Sequence, residues 1–138
     1  MKIEGITFVD HIHQTLQPAF DFVYQVGKDN NHTHLPFIKD NVLVQCAIDG
    51  IVTALQYSDS NWNFIISVDM PLISIELINE LKLHITKDSS VILPTLDGKW
   101  FPTCAFYNKS ILPVLEFALV HKNFRLMYHL KKNDPVQV

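Results

Sequence analysis

The stretch WNFIISVDMP, residues 62–71, decides the fold class of this chain. Its first seven residues form a mostly apolar run with aromatic and β-branched side chains, the pattern of a central parallel strand covered on both faces. Asp69 follows this run directly, and Pro71 comes two residues later. The sequence therefore predicts a buried strand that places a carboxylate at its carboxyl end.

Helix and strand patterns alternate on both sides of this stretch. Apolar residues recur at helical spacing in four regions, which predicts helices at 6–17, 45–57, 74–81 and 124–131. Ser110 is a candidate N-cap and predicts a fifth helix at 110–120. Short apolar runs predict further strands at 22–26, 37–38, 90–94 and 103–107. This alternation predicts a three-layer α/β domain, with helices on both faces of a mostly parallel sheet. The hairpin-like step between the last two strands adds one antiparallel member.

Composition limits the classes of protein to which the chain can belong. It has 138 residues, 48% hydrophobic and 18% charged, which suits one globular domain over residues 1–138. A net charge of −3 argues against a general nucleic-acid binder. No apolar run reaches the roughly 18–20 residues that cross a bilayer, so no membrane partner is expected. Two cysteines, and a charged start where a secretion signal would be apolar, favour a cytoplasmic protein.

Three predicted strands end in polar residues that could bind a ligand. In an open α/β sheet, ligands lie beyond the carboxyl ends of the strands. Asp69 follows the central strand, Asp40 follows residues 37–38, and Asn30 lies three residues after Gly27. Asp69 is the sharpest candidate, because one carboxylate with substrate phosphates is a common way to hold Mg²⁺. The alternative is a turn or N-cap role before the helix at residue 74.

Other chemistry-bearing residues lack a supporting context. His11 and His13 fall on opposite sides of a helix, and His32 and His34 lie in a predicted loop with no cysteine or glutamate partner at ligand spacing. Cys46 and Cys104 have no nucleophile motif around them, and neither a P-loop nor a G-x-G-x-x-G fingerprint occurs. The sequence therefore favours a site built on strand ends over a zinc or thiol site.

The segment Val68-Asp69-Met70-Pro71-Leu72-Ile73-Ser74, after its apolar strand, resembles the Asp-Met-Pro segment of the molybdenum cofactor guanylyltransferase family. Further segments resemble that family in the same order along the chain: residues 16–27, 37–40, 47–55, 101–107 and 122–130. The resemblance implies a Rossmann-like nucleotidyltransferase domain. It also implies an enzyme that transfers GMP from GTP to molybdopterin cofactor with Mg²⁺ and releases pyrophosphate.

The resemblance carries roles over to four residues. Asp69 would be the Mg²⁺ ligand, and Asp40 would lie at the guanine and ribose side of the nucleotide. Gly50 would be the position where the backbone passes close to the ligand. Asn30 would take the place of an asparagine that follows the family's second strand. Asp49, beside Gly50, departs from the family pattern and would add negative charge near the triphosphate.

The family's opening segment has no counterpart in this sequence. Family members begin with an apolar strand and a glycine-rich loop, Leu-Ala-Gly-Gly followed by Asp-Lys, which cradles the phosphates. Residues 1–5 align just after it, so the resemblance implies an N-terminally shortened domain whose first central strand is missing. The alternative function is a catalytically inactive or partial module that acts as a binding partner, with weak or undetectable GTP turnover. An unrelated small α/β domain of flavodoxin or response-regulator type is a third hypothesis.

A missing central strand would leave two apolar edges unpaired, at residues 22–26 and 62–68. Three outcomes are open. A homo-oligomer or swapped dimer could cover the edges, the first residues of the chain could re-form the strand, or the two flanking strands could close up directly.

Overall fold

The computed structural model describes residues 2–3, 5–28, 35–40, 46–70 and 73–138. The strands are β1 (Lys2–Ile3), β2 (Ile6–Thr7), β3 (Gln25–Gly27), β4 (Phe37–Lys39), β5 (Trp62–Ile66), β6 (Val91–Leu93), β7 (Thr95–Leu96), β8 (Lys99–Trp100), β9 (Cys104–Asn108) and β10 (Val136–Gln137). The helices are α1 (Phe8–Leu16), α2 (Ala47–Tyr57), α3 (Ile75–Lys82), α4 (Leu112–Val120) and α5 (Leu126–Lys131), with a 3₁₀ turn at Lys109–Ile111.

The largest sheet has the strand order β10-β6-β9-β5. β9 is antiparallel to both of its neighbours, while β10 is parallel to β6. β9 is therefore the antiparallel member that the step between residues 91–94 and 103–107 predicts. Its side chains alternate between the two faces, because Ala105 and Tyr107 pack into one core cluster and Phe106 packs into the other.

Helices cover both faces of this sheet, as the alternating pattern predicts. On one face α2, α4 and α5 bury an apolar cluster that includes Ile48, Leu55 and Leu115. On the other face α1 and α3 bury a cluster that includes Leu16 and Ile78. The three-layer α/β fold class is confirmed, and its core lies on both sides of β6 and β9.

β3 and β4 form a separate parallel pair, with no hydrogen-bonded link to β5 in the described chain. α2 runs antiparallel to β3. Near its start, Asp49 contacts Lys28 just after β3, and at its end Tyr57 packs on Tyr24 just before β3, with ring centroids 5.3 Å apart. β5 follows α2 after residues 58–61, so β5 runs in the same direction as β3 and β4.

A cavity of about 780 Å³ occupies the space between these two sheets. It is lined by β3 on one side and β5 on the other, with α1 and α2 above and below. The prediction that β5 is a covered central strand with parallel neighbours is wrong. Its one partner in the described chain is antiparallel, and all five of its residues are only half-buried. The structure accounts for this difference, because no backbone among the described residues pairs with the other edge of β5.

The start of the chain does not replace the missing strand within the residues that the structure describes. β1 and β2 pair with each other as a short antiparallel hairpin and join neither sheet. The flanking strands have also not closed up, because the cavity separates them. Two of the three outcomes expected for the gap are therefore wrong for this chain, and the homo-oligomer stays a prediction.

Two local predictions differ in detail. Residues 22–24 are not strand, since β3 starts at Gln25, and the ring of Phe22 is largely exposed on that segment. Ser110 is not the cap of α4, because the N-cap position of α4 is Ile111, which makes no side-chain cap hydrogen bond. Asn108 instead caps the 3₁₀ turn that precedes α4, and its Oδ1 accepts from the backbone N–H of Ser110 at 2.9 Å. No described helix has the length and apolarity needed to cross a membrane.

Candidate active site at the strand ends

A charged cluster joins the carboxyl ends of β3 and β4 to the start of α2. The ammonium of Lys28 donates to Oδ2 of Asp40 and to Oδ2 of Asp49, at 3.1 Å in each case. The backbone N–H of Asp40 also donates to the carbonyl of Gly27 at 2.8 Å, which continues the pairing of β3 with β4. Two carboxylates therefore share one cation at the strand ends.

Burial sets the electrostatics of this cluster. Asp49 is fully buried and Asp40 nearly so, whereas a third of the Lys28 side chain is exposed. Burial and the neighbouring Asp40 raise the pKa of Asp49 from 3.8 to about 6, against the opposing effect of Lys28. Partial burial acts to lower the pKa of Lys28, but its hydrogen bonds to Asp49 and Asp40 raise it overall. Lys28 therefore stays a cation at neutral pH.

Asp49 does not direct its charge towards open space. Its side chain is enclosed at the start of α2, and its second oxygen, Oδ1, has no hydrogen-bond partner among the described residues. The sequence predicts that Asp49 adds negative charge near a bound triphosphate. In the structure Lys28 offsets that charge through its contact with Asp49. An unpaired buried acceptor is costly, which also favours the protonated form of this carboxyl group.

Gly50 follows Asp49 in α2 and lines the cavity. A Cβ added at this position would meet nothing within 4 Å. No described atom of the protein therefore requires a glycine here. Free space beside the backbone is what a position of close ligand approach needs, although the residue's role in binding remains a prediction.

Asp69 lies in the turn that follows β5, where the backbone N–H of Met70 donates to the carbonyl of Ser67 at 3.1 Å. Its side chain is exposed. Ser67 and Val68, just before it, line the same cavity as Gly50. Asp69 is thus at the carboxyl end of β5, where the sequence predicts it.

The donor set suits a cation that keeps most of its ligands from substrate and water. No group of three histidine, cysteine or acidic residues that could hold a metal occurs among the described residues. A single exposed carboxylate at a strand end fits Mg²⁺ in the form that binds through one carboxylate, phosphates and water. It does not fit a closed structural metal site.

The structure brings Asp40 and Gly50 to one place and puts Asp69 at a second strand end beside the cavity. Asn30, with His32 and His34, lies outside the described residues. Sequence reasoning missed the role of Lys28 as the shared partner of two aspartates. The available signal was its place directly after Gly27, at the end of a predicted strand. Burial raises the pKa of the Cys104 thiol to about 11, which disfavours the thiolate that a nucleophile needs.

A known family matches almost the entire chain. The family model described as the MobA-like NTP transferase domain matches residues 1–136. A probable molybdenum cofactor guanylyltransferase from Flavobacterium johnsoniae is 32% identical over 127 residues, covering 91% of this chain and 67% of the relative. A probable molybdenum cofactor guanylyltransferase from Natranaerobius thermophilus is 26% identical over 140 residues, covering 96% of this chain and 68% of the relative. The chain thus spans about two thirds of the length of these relatives.

Solved structures share the fold. Molybdopterin-guanine dinucleotide biosynthesis protein A from Archaeoglobus fulgidus superposes with a TM-score of 0.81 at 20% identity, covering 100% of this chain and 72% of that one. The 2-C-methyl-D-erythritol 4-phosphate cytidylyltransferase from Thermus thermophilus superposes with a TM-score of 0.71 at 11% identity, covering 99% and 80%. At these identities the likeness shows a nucleotidyltransferase fold.

Proposed function

The chain belongs to the MobA-like NTP transferase domain family, a family of nucleotidyltransferases, and on that premise we propose that it acts in transfer of GMP from GTP to molybdopterin cofactor. The observation that carries the proposal is the convergence of Lys28, Asp40 and Gly50 around the start of α2, with Asp69 at the neighbouring strand end. This is the edge of an α/β sheet where ligands bind. We place the protein in the cytoplasm, where small-molecule biosynthesis takes place.

The nucleotide is proposed to lie across the carboxyl ends of β3, β4 and β5. Asp40, which also accepts a hydrogen bond from Lys28, is proposed to contact the guanine or ribose. Asn30, three positions after Gly27 in the sequence, is proposed to contact the nucleotide as well. The open space beside Gly50 lets the ligand approach the backbone of α2. Lys28 offsets the charge of both aspartates, so that the two carboxylates repel the phosphates less.

In the proposed reaction a phosphate oxygen of the pterin attacks the α-phosphorus of GTP. A new phosphorus–oxygen bond forms in line with the one that breaks, and pyrophosphate leaves with the electron pair. Asp69 would hold Mg²⁺, which would supply charge neutralisation on the α-phosphate and the leaving group. The chain's own residues contribute positioning, which is the main demand of phosphoryl transfer.

A second candidate function is a partial or inactive module that binds without turning over. The observation that favours it is the cavity between β3 and β5, whose described lining includes no lysine or arginine. Lys28 is already engaged by two aspartates, so little positive charge is left for a triphosphate. For this chain alone we expect GMP transfer to be weak or undetectable, even if GTP binds.

Calorimetric titration with GTP, with and without Mg²⁺, tests the proposed site. We expect Mg²⁺ to tighten GTP binding in the parent chain. Asp69→Ala should reduce that gain by about tenfold or more, since a charged ligand to the cation is lost. Asp88→Ala is the matched control, because Asp88 is also an exposed turn aspartate but lies away from the cavity. An unchanged Mg²⁺ effect in Asp69→Ala would remove Asp69 from the site. Measurable GMP transfer by the parent would reject the inactive-module alternative.

A further inference from the structure

A basic segment runs from the end of α4 through α5, in a chain whose net charge is −3. Residues 121–132 contain Lys122, Arg125, Lys131 and Lys132 but no aspartate or glutamate. All four basic side chains are exposed, and none forms an ion pair with a carboxylate among the described residues. This part of the surface therefore carries positive charge that the described chain does not neutralise.

Two of these cations lie against the same aromatic ring. The guanidinium carbon of Arg125 is 4.5 Å from the ring centroid of Tyr128, and the ammonium of Lys132 is 4.3 Å from it. Lys132 also donates to the phenol oxygen, and this hydrogen bond lowers the pKa of Tyr128. Two like charges held beside one ring repel each other, and an anion that binds both relieves the repulsion.

Hydrogen bonds fix the turn that presents Arg125. Its Nε donates to Oδ1 of Asn123 at 3.1 Å, and the backbone N–H of Asn123 donates to the carbonyl of Ala118 at 2.9 Å. Nε2 of the buried His129 donates to the carbonyl of Asn123 at 2.9 Å. The terminal guanidinium nitrogens make no hydrogen bond to the described residues, so they remain available to a ligand. A site held in place in this way loses less entropy on binding.

A cleft of about 510 Å³ between α4 and α5 opens beside these cations. We call it the α4–α5 cleft; its walls include Val114, Phe117 and His121 on one side and Tyr128, His129 and Lys132 on the other. Phe117 is 62% exposed, and the ring of His121 stacks on it with centroids 3.9 Å apart. The cleft therefore offers an apolar and aromatic wall to a side chain, next to unneutralised positive charge.

α4 adds no negative charge to this cleft. Its sequence, LPVLEFALV, has one charged residue, Glu116, which accepts from Nε2 of Gln56 in α2 at 3.3 Å and does not line the cleft. The cleft also shares no residue with the cavity between β3 and β5, and it includes none of the residues proposed to bind the nucleotide. The two sites can therefore be tested separately.

The shape and charge of the surface favour one class of occupant. A nucleic acid would contact a longer basic stripe, and the apolar wall would contribute nothing to it. A membrane takes up protruding apolar side chains, whereas this apolar wall lines a concave cleft. An acidic peptide that also carries a large apolar side chain uses both features, since the side chain fills the cleft and the carboxylates reach the cations.

We propose that the α4–α5 cleft binds an acidic segment of a partner protein, with an apolar side chain against Phe117 and carboxylates on Arg125 and Lys132. Arginine holds a carboxylate through two parallel hydrogen bonds, which fixes the orientation of the segment. Burial of the apolar side chain provides most of the affinity, and the charges determine which segments bind. This interaction is independent of GTP and of the proposed transfer.

The test titrates a synthetic peptide, acetyl-Asp-Glu-Phe-Leu-Glu-Asp-amide, into the full chain at low ionic strength while NMR shifts are followed. We expect saturable binding, with shift changes concentrated in α4, α5 and residues 121–125. Asp-Glu-Ser-Ser-Glu-Asp keeps the charge but lacks the apolar side chains. Asn-Gln-Phe-Leu-Gln-Asn keeps the apolar side chains but lacks the charge. Each of these two peptides should bind about tenfold more weakly or worse.

Charge variants of the chain locate the binding. The double variant Arg125→Gln, Lys132→Gln should weaken binding of the first peptide by about tenfold or more. The double variant Lys87→Gln, Lys99→Gln is the matched control, because both lysines are exposed and lie outside the cleft. The two double variants lower the net charge equally, so any difference between them reports on the site.

A second pair of variants tests the apolar wall. Phe117→Ser should weaken the first peptide by about tenfold or more, whereas Leu83→Ser, at a 79% exposed position on the end of α3, should leave its affinity unchanged. Circular dichroism checks that all variants fold. Should a cleft variant fail to fold, the three peptides decide the question on the parent chain.

Three results would overturn the proposal. The first is absence of saturable binding by the acidic apolar peptide. The second is equal binding of the serine peptide, or equal weakening by the two double variants, since either shows attraction by net charge alone. The third is sedimentation of the chain with phosphatidylserine vesicles that is lost in Arg125→Gln, Lys132→Gln, which would assign this surface to an anionic membrane. We expect the chain to stay in the supernatant.

Discussion

At the residue scale, the defining feature is one lysine shared by two aspartates. Sequence reasoning found Asp40 from its place after a short strand and noticed Asp49 as a departure from the family pattern. It could not find their common partner, because Lys28 is 12 positions from one aspartate and 21 from the other. Contacts over such separations depend on how β3, β4 and α2 are arranged in space.

The raised pKa of Asp49 predicts a dependence of stability on pH. Between about pH 4 and pH 6 the folded chain holds a proton that the unfolded chain releases, since the pKa rises from 3.8 to about 6 on folding. Stability from this group is therefore fully present below pH 4 and falls as the pH rises to 6. Asp49→Asn removes this titrating group. As the pH rises from 4 to 6, the free energy of unfolding of the variant should therefore increase relative to that of the parent by on the order of 1–3 kcal/mol.

Urea unfolding at pH 4, 5 and 6 measures this difference. Asp88→Asn serves as the control, because Asp88 is an exposed turn residue outside the cluster. Taking the difference between variant and parent removes the contribution of all the other carboxyl groups. If the free energy of unfolding depends on pH in the same way for Asp49→Asn and for the parent, Asp49 has the same pKa in the folded and the unfolded chain.

At the element scale, α2 connects the site to the core. Ile48, Ile51, Val52 and Leu55 form its buried face, as the helical spacing predicts. Its first turn carries Asp49 and Gly50 at the strand ends. A glycine at position 50, the fourth residue of this helix, lowers stability, because glycine loses more backbone entropy than alanine on folding.

Gly50→Ala separates the effect of this glycine on stability from its effect on GTP binding. Since an added Cβ meets no atom within 4 Å, we expect the variant to be more stable by about 0.5–1 kcal/mol. If the nucleotide passes close to this backbone, the same variant should bind GTP more weakly. Thermal unfolding and calorimetry measure the two effects. A more stable variant with unchanged GTP affinity would show that Gly50 lies away from the nucleotide.

β5 shows which properties of a strand its apolar pattern predicts and which it does not. The apolar run at residues 62–68 correctly predicts a strand followed by Asp69 at its carboxyl end. The same run indicates cover on both sides and parallel neighbours, whereas the structure has β9 antiparallel on one side and the cavity on the other. An apolar run reports what a strand can bury, and it carries no information on which backbone pairs with it.

At the scale of the whole molecule, the two sheets should differ in local stability. β9 is hydrogen-bonded on both sides and its residues Cys104–Tyr107 are buried, whereas β3 has one partner in the described chain and only half-buried residues. Elements with few buried contacts open at lower free energy than core strands.

Amide hydrogen exchange on the free chain tests this difference. We expect protection in β9 to exceed that in β3 by about a hundredfold or more, which corresponds to roughly 3 kcal/mol in opening free energy. Equal protection of β3 and β9 in the free chain would mean that both sheets open as one cooperative unit.

The sequence by itself determined the α/β class, the helices on both faces, the family, and the place of Asp40 and Asp69 at strand ends. These depend on local periodicity and on motif order, which can be read along the chain. Only the tertiary structure decided that Lys28 binds both Asp40 and Asp49, and that a cavity lies between β3 and β5. Those features arise from strand pairing and burial between distant segments, where the free energy depends on neighbours in space.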